Sequence, residues 1–234
     1  FSSIGTTSIS VGATNTPSNL ASGGSGLHFM NTTETTSSGW QQSSTPWASN
    51  GLTPNTQYTF AGKSRNGDAV ETTAVSASKY TLAVVPVAPS VTSPGAHSLV
   101  VAIGTGDGNP ASTTYAVQIS PAVGGNTWVQ ADGSVGASAI YQTAAVWDSK
   151  TVTGLAEYVS YSFTVLARNG EDVDTAAGSA GSGMTLDLTA PAGSLTINSG
   201  IAVTESLNVT LDLSANDGAG SGVTQVRFSN DNST

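Results

Sequence analysis

Residues 51–72 of this chain, GLTPNTQYTFAGKSRNGDAVET, return at residues 154–175 as GLAEYVSYSFTVLARNGEDVDT. In register, the copies share glycine, leucine, tyrosine, phenylalanine, arginine, asparagine, glycine, valine and threonine, and the acidic pair Asp68 and Glu71 is matched by Glu171 and Asp174. Copies about 100 residues apart are too widely spaced for a solenoid and suit one small domain each. A chain of 234 residues then holds two such domains and a remainder.

Within the repeat, Tyr58, Phe60 and Gly62 lie two apart, as do Tyr161, Phe163, Val165 and Ala167. Period-two spacing places these residues on one face of a strand. Each strand runs into Asn-Gly (Asn66 and Gly67, Asn169 and Gly170), a dipeptide that tolerates the positive φ of a tight hairpin turn. Val70 and Thr72, or Val173 and Thr175, would then begin the returning strand.

The run Leu52-Thr53-Pro54-Asn55-Thr56-Gln57-Tyr58 resembles the corner between strands E and F of a fibronectin type III domain, of the kind common in bacterial extracellular proteins. The resemblance implies a β-sandwich in which Tyr58 and Tyr161 close a tyrosine corner, the hydroxyl bonding back to upstream backbone. It covers about residues 1–187 and is specific in the two corners. Two departures stand out. Glu157 replaces the proline of the second corner, which is therefore expected to be looser, and the strand B tryptophan usual in the family is missing from both copies.

The expected fold class is all-β, tandem Ig-like or fibronectin type III β-sandwiches over residues 1–83, with a short or missing strand A, and 84–187. In the first, residues 7–13 suit strand B, the alternation of Leu27, Phe29 and Asn31 suits strand C, and residues 76–81 suit strand G. Residues 83–94, with Pro86, Pro89 and Pro94 in an apolar run, read as an extended linker feeding strand A of the second domain. Strands are expected there at 98–103, 114–119, 126–130 and 140–146, and residues 151–153 lead to the second corner. Residues 188–234 resemble the first half of a bacterial Ig-like domain. A short strand carries Leu195 and Ile197, a half-buried strand carries Leu207, Val209, Leu211 and Leu213, and another starts at Val226 and Phe228. About 47 residues are too few for a sandwich of about 100. The half-domain is either a truncation or has an open edge completed by another chain.

Charged residues make up 9% of the chain, far below the quarter usual in soluble domains, and serine, threonine, glycine and alanine fill the gap. That texture suits hydroxyl-rich outer strand faces, and the alternating apolar strands argue against disorder. A net charge of −9 with six scattered basic residues excludes a nucleic-acid footprint and argues against an anionic membrane surface. No cysteine is present, which removes disulfides and thiolate metal sites. No apolar run reaches the length of a membrane span, so no direct membrane insertion is expected. Phe1 opens in strand-like sequence, so the chain reads as a mature or excised piece.

Candidate chemistry is sparse. His28 and His97, the only histidines, fall in different domains and lack a triad partner. Asp187, Asp212 and Asp217 could contribute to a structural calcium site at the join of the second and third segments, because calcium takes six to eight oxygens. Asp107 in GTGDGN and the acids Glu171, Asp172 and Asp174 are weaker acidic clusters, read as turns. Trp40, Trp47, Trp128 and Trp147 could offer ring faces to carbohydrate, although Trp47 and Trp147 precede their corners at similar places, which suits packing. The run Arg65-Asn66-Gly67-Asp68 is similar to an integrin-binding Arg-Gly-Asp loop but is broken by the asparagine, and reads as a hairpin turn. Sequons stand at Asn31, Asn208 and Asn232.

The functional expectation is a non-catalytic structural or adhesive module of a large extracellular or cell-surface protein, acting as spacer or assembly unit, with no cofactor. The expected partners are neighbouring domains or copies of the chain itself, with glycans as a further candidate. Two rivals stand beside it, a self-assembling filament or surface-layer subunit completed by strand exchange, and a carbohydrate-binding accessory of a secreted polysaccharide-degrading enzyme. Fold resemblance alone decides among none of them.

Overall fold

A computed structural model describes residues 1–15 and 17–229. The first sandwich contains β1 (Ser3–Ile4), β2 (Ser8–Val11), β3 (Gly26–Asn31), β4 (Thr36–Gln41), β5 (Trp47–Asn50), β6 (Gln57–Arg65) and β7 (Val75–Tyr80). They divide into a three-stranded sheet, β1-β2-β5, and a four-stranded sheet, β4-β3-β6-β7, all pairs antiparallel. The period-two pattern of β6 works as read, burying Tyr58 and Phe60 against Ile9 and Leu52, with Trp47 half-buried beside them. Asn31 on β3 is fully buried, and its amide donates to Ser49 on β5 at 3.1 Å, a polar tie between the two sheets.

The second sandwich contains β8 (Ser90–Thr92), β9 (Ser98–Ala102), β10 (Thr114–Val123), β11 (Asn126–Val129), β12 (Val135–Gly136), β13 (Gln142–Thr143), the single-turn helix α1 (Ala144–Trp147), β14 (Ser149–Thr153), β15 (Ser160–Arg168) and β16 (Gly181–Met184). Its sheets run β14-β9-β8 and β12-β11-β10-β15-β16, with β13 also on β10. The core is larger, with Leu99, Val101, Val117, Ile119, Val152, Tyr161, Phe163 and Val165 facing one another between the sheets. This is the tandem fibronectin type III-like, all-β fold that the corner motifs implied. One expected strand is corrected. Residues 140–146 pair only at Gln142–Thr143, and the chain then turns through α1. The turn drops Trp147 into the core, where its indole N–H donates to the Tyr115 carbonyl at 2.7 Å.

Both tyrosine corners close. The Thr53 amide donates to the Tyr58 hydroxyl at 2.8 Å, and the Ala156 amide donates to the Tyr161 hydroxyl at 3.0 Å. Glu157 therefore does not open the second corner. The residue after it, Tyr158, takes a left-handed φ of 52°, as Asn55 does at 42° in the first copy. The corner is set by that backbone turn and by the hydroxyl, which proline does not supply.

The hairpin expectation is corrected in detail. Positive φ falls on Ala69 and Asp172, not on the Asn-Gly pairs. Asn66 instead accepts the amides of Asp68 and Val70 on its side-chain oxygen, and Asn169 accepts those of Glu171 and Val173. Each turn is wound around an asparagine side chain, an Asx-type device. Beyond it the returning backbone meets β6 and β15 at the bridges Arg65–Glu71 and Arg168–Asp174, and the amides of Thr72 and Thr175 donate to the carbonyls of Ser64 and Ala167 before β7 and β16 begin.

The C-terminal segment forms a two-stranded ribbon of β17 (Ala192–Ile197) and β18 (Leu211–Asn216), paired from Ala192 with Asn216 to Ile197 with Leu211. Every residue of both strands is exposed, so the half-buried strand expected over Leu207 to Leu213 is corrected. Leu207 and Val209 precede β18, and Val226 and Phe228 lie outside any strand. Alternation produces burial only against an opposing layer, and none packs on the ribbon among the described residues.

Replacing Tyr58 or Tyr161 by phenylalanine keeps the buried ring and deletes one hydrogen bond. Each change is expected to destabilise its own sandwich by about 1 kcal/mol in urea denaturation, with the other sandwich unaffected.

Candidate functional site

The densest polar construction lies between the two sandwiches. Asn55, in the E–F corner of the first, is buried although it sits in a loop. Its amide nitrogen donates to the hydroxyl of Thr113 at 2.8 Å, and its oxygen accepts the Gly170 amide at 2.8 Å. Asn169, whose oxygen winds the F–G turn of the second sandwich, donates from its nitrogen to the Thr81 carbonyl at 3.1 Å. Lys79 at the end of β7 pairs with Glu171 at 2.5 Å. Gly170 is required by close approach rather than by φ, because a Cβ there would overlap the ring of Tyr80.

The linker is held as well. Val84 exchanges two hydrogen bonds with the side chain of Asn109, each 2.8 Å. Asp107 fixes Asn109 from behind and accepts the hydroxyl of Tyr115 at 2.9 Å. Burial and the Asp107 carboxylate push the Tyr115 phenol well above its ordinary range. The acidic residue of GTGDGN thus spends both oxygens on a structural clamp.

A second cluster lies on the second sandwich. Arg168 stacks on Tyr141, its guanidinium carbon 3.6 Å from the ring centroid, and makes two bonds to Asp174, 2.6 and 2.9 Å. Tyr141 donates to the same carboxylate at 2.8 Å. The Arg168 hydrogen bonds hold the Asp174 carboxyl below the usual range, while burial, followed by Asp174, raises the Tyr141 phenol. Of the acids read as turn decoration, Asp174 thus belongs to an ordered triad with Arg168 and Tyr141.

The aspartates named for calcium are only partly brought together. Asp187 accepts the amides of Ser221 at 2.6 Å and Thr189 at 3.1 Å, and Asp217 accepts that of Gly222 at 2.6 Å. Asp187 and Asp217 face the same space near Gly220, beside Glu157, whose oxygen accepts the Thr189 hydroxyl. The Ser221 bonds lower the Asp187 carboxyl. Asp212 lies on β18 opposite Thr196, near Ser199 instead. Among the described residues no group of three or more histidine, cysteine, aspartate or glutamate side chains is arranged to hold a metal.

The four tryptophans lie on separate elements, Trp40 on β4, Trp47 on β5, Trp128 on β11 and Trp147 on α1. Trp147 is 1% exposed, which corrects its reading as a carbohydrate contact. Trp47 packs on the first core, and Trp128 lies on β11 opposite Gln118 and Gly136. Trp40 is covered by His28, Lys63 and Arg65, at 5.3, 5.4 and 4.3 Å from its ring. His97 bonds the Leu155 carbonyl at 2.9 Å and faces Glu157 at 3.3 Å, far in sequence and fold from His28. The sequon residue Asn31 is buried, Asn208 is exposed outside any strand, and Asn232 lies outside the described residues. No helix is long and apolar enough to cross a membrane among the described residues. The role of Asn55 was missed by sequence reading. The only signal was its place in the repeat, where the second copy carries Tyr158.

No family model matches the chain, and no curated protein matches it. Among solved structures it is similar to a two-domain fibronectin type III segment of chicken tenascin, at 15% identity and a TM-score of 0.48, covering 78% of this chain and 93% of that one. It is also similar to the FN1–FN3 domains of chicken CNTN1, at 13% identity and a TM-score of 0.34, covering 80% of this chain and 64% of that one.

Because Asp174 is held below its ordinary value in the folded state, its contribution is present above pH about 4 and is lost as pH falls through the folded value. Asp174→Asn is expected to lower the melting temperature at pH 7, and the gap from the parent should close at pH about 2. A gap that stayed constant with pH would show the carboxylate charge to be irrelevant.

Proposed function

We propose that this chain is a non-catalytic structural module, two β-sandwiches joined into one stiff rod, that serves as a spacer or adhesive segment of a larger extracellular or cell-surface protein. The observation that carries this reading is the joint. Asn55, Thr113 and Asn169 are buried polar side chains that hydrogen-bond across the boundary of the two sandwiches, Asn169 to the backbone carbonyl of Thr81. A flexible tether would leave such groups in water. Burying them in mutual hydrogen bonds fixes the angle between the domains, since bending the joint would strand donors and acceptors away from solvent. Inter-domain contacts within a chain are ordinarily loose, so a satisfied buried polar joint favours a part whose job is to hold distance and direction. The hydroxyl-rich composition and the low charge suit such a module.

A second reading, assembly between copies, has one observation in its favour. Leu195, Ile197, Leu211 and Leu213 of the ribbon are each 43–50% exposed. An apolar ribbon with free edges is a template for pairing. In this reading light scattering finds a mass that rises with concentration, and Leu213→Lys abolishes the rise. A concentration-independent monomer rejects it.

The rod reading is tested with Asn55→Ala combined with Gly170→Val. Small-angle scattering of the parent should give one extended length with a narrow distance distribution. The variant should broaden it, while both sandwiches keep their secondary structure. Identical scattering from parent and variant would reject a joint-defined rod.

A further inference from the structure

The repeat places Arg65 and Arg168 at the same position, and their surroundings differ in one informative way. Arg168 is saturated, stacked on Tyr141 and bidentate with Asp174. Arg65 is likewise stacked, over Trp40 at 4.3 Å. Its expected partner, Glu71, occupies the position of Asp174 and forms the same backbone bridge. Yet Glu71 is taken by Lys63 at 2.6 Å. Lys63 stands where the second copy has Leu166, which cannot compete for an acid. Among the described residues no ion pair and no side-chain hydrogen bond reaches the Arg65 guanidinium, and its Nε is buried without a partner.

Arg65 is also one of the residues lining a cleft of about 750 Å³ between the loop at 17–25 and the F–G turn. The size is that of a small-ligand site. The walls add Ser18, Asn19 and Ser22, the apolar Leu20 and Val70 among others, and Glu71, whose carboxylate is paired with Lys63. Gly24 ties the two loops together by donating its amide to the Gly67 carbonyl at 2.7 Å.

We propose that this cleft binds a carboxylated sugar, a hexuronate unit, with its carboxylate on Arg65 and its hydroxyls on the serine and asparagine side chains of the walls. A planar guanidinium held on an aromatic ring and left unpaired is already oriented for bidentate carboxylate binding. The hydroxyl and amide walls match a polyhydroxylated ligand better than an acidic peptide, whose side chains would bring further charge beside Glu71. The net charge of −9 opposes long polyanions and leaves a single carboxylate as the favoured unit. Trp40 does not stack on the sugar here. Its ring is covered by the arginine it orients. The inference does not rest on the rod reading, since a stiff or a flexible chain would present the same cleft.

The test is a titration of the whole chain with D-galacturonate and, separately, D-galactose, followed by the indole resonance of Trp40 and the amides of the two loops. Saturable galacturonate binding is expected, at least about tenfold tighter than galactose. Arg65→Gln should remove that preference. Lys63→Leu should also weaken galacturonate by about tenfold, because it frees Glu71 to pair with Arg65 as Asp174 pairs with Arg168. This second variant keeps the arginine, so a loss of binding with the amide spectrum of the free chain otherwise unchanged is read at the cleft and not as unfolding. Equal binding of the two sugars, undiminished binding by Lys63→Leu, or shifts from a glutamate-rich peptide with none from galacturonate would each overturn the proposal.

Discussion

The arrangement of the two sandwiches depends on one hydrogen-bonding requirement, that the amide of Asn55 be satisfied where it is buried. Its donor is met by Thr113 and its acceptor by Gly170, both from the second sandwich, so the first sandwich alone cannot satisfy it. A buried amide without partners costs more than the bonds themselves contribute. The joint is therefore cooperative. Moving the F–G turn of the second sandwich away would unpair Asn55 and Asn169 together and pull Glu171 from Lys79. The Asn109 clamp on Val84 adds a second point of attachment on the linker, so the two sandwiches are fixed both by contact and by the path between them.

The same repeated motif does different work in its two copies, and single residues account for the difference. At the left-handed position of the E–F corner, asparagine reaches across a domain boundary, while Tyr158 is half exposed. In the F–G turn, Gly67 packs on the neighbouring loop of its own sandwich, while Gly170 admits the Tyr80 ring of another. On the outer face, leucine at 166 leaves an arginine–aspartate pair intact, while lysine at 63 takes the corresponding acid, Glu71, and no ion pair reaches Arg65 among the described residues. The shared residues, Tyr58 with Tyr161 and Asn66 with Asn169, maintain the fold. The residues that differ between the copies specialise each one.

This division also explains what could be read from the sequence. The strands around Tyr58 and Tyr161, the corners and the all-β class were legible because they follow from alternation and from a motif that appears twice. The path of the chain at Trp147 was not, because an apolar run reads alike as strand or buried turn until its indole finds the Tyr115 carbonyl. The alternation of Leu207 to Leu213 misled for the opposite reason. The pattern is strong, but burial depends on an opposing layer. The joint was invisible because Asn55 and Gly170 are loop residues far apart in sequence, and each has a sufficient local explanation. Of the candidate site residues, the turn asparagines kept a structural role by a mechanism other than positive φ, and Arg65 drew attention only as part of a broken tripeptide.

The central claim is that the two sandwiches share one buried joint, and the amide of Gly170 reports on it directly. Native-state hydrogen exchange should find this amide protected, although it sits in a turn, with an opening free energy close to that of the core strands. Asn55→Ala should collapse that protection while leaving Phe163 unchanged. A Gly170 amide that exchanges as fast as the amide of Gly67, its counterpart in the turn of the first sandwich, would contradict the account, because the joint would then be open in solution.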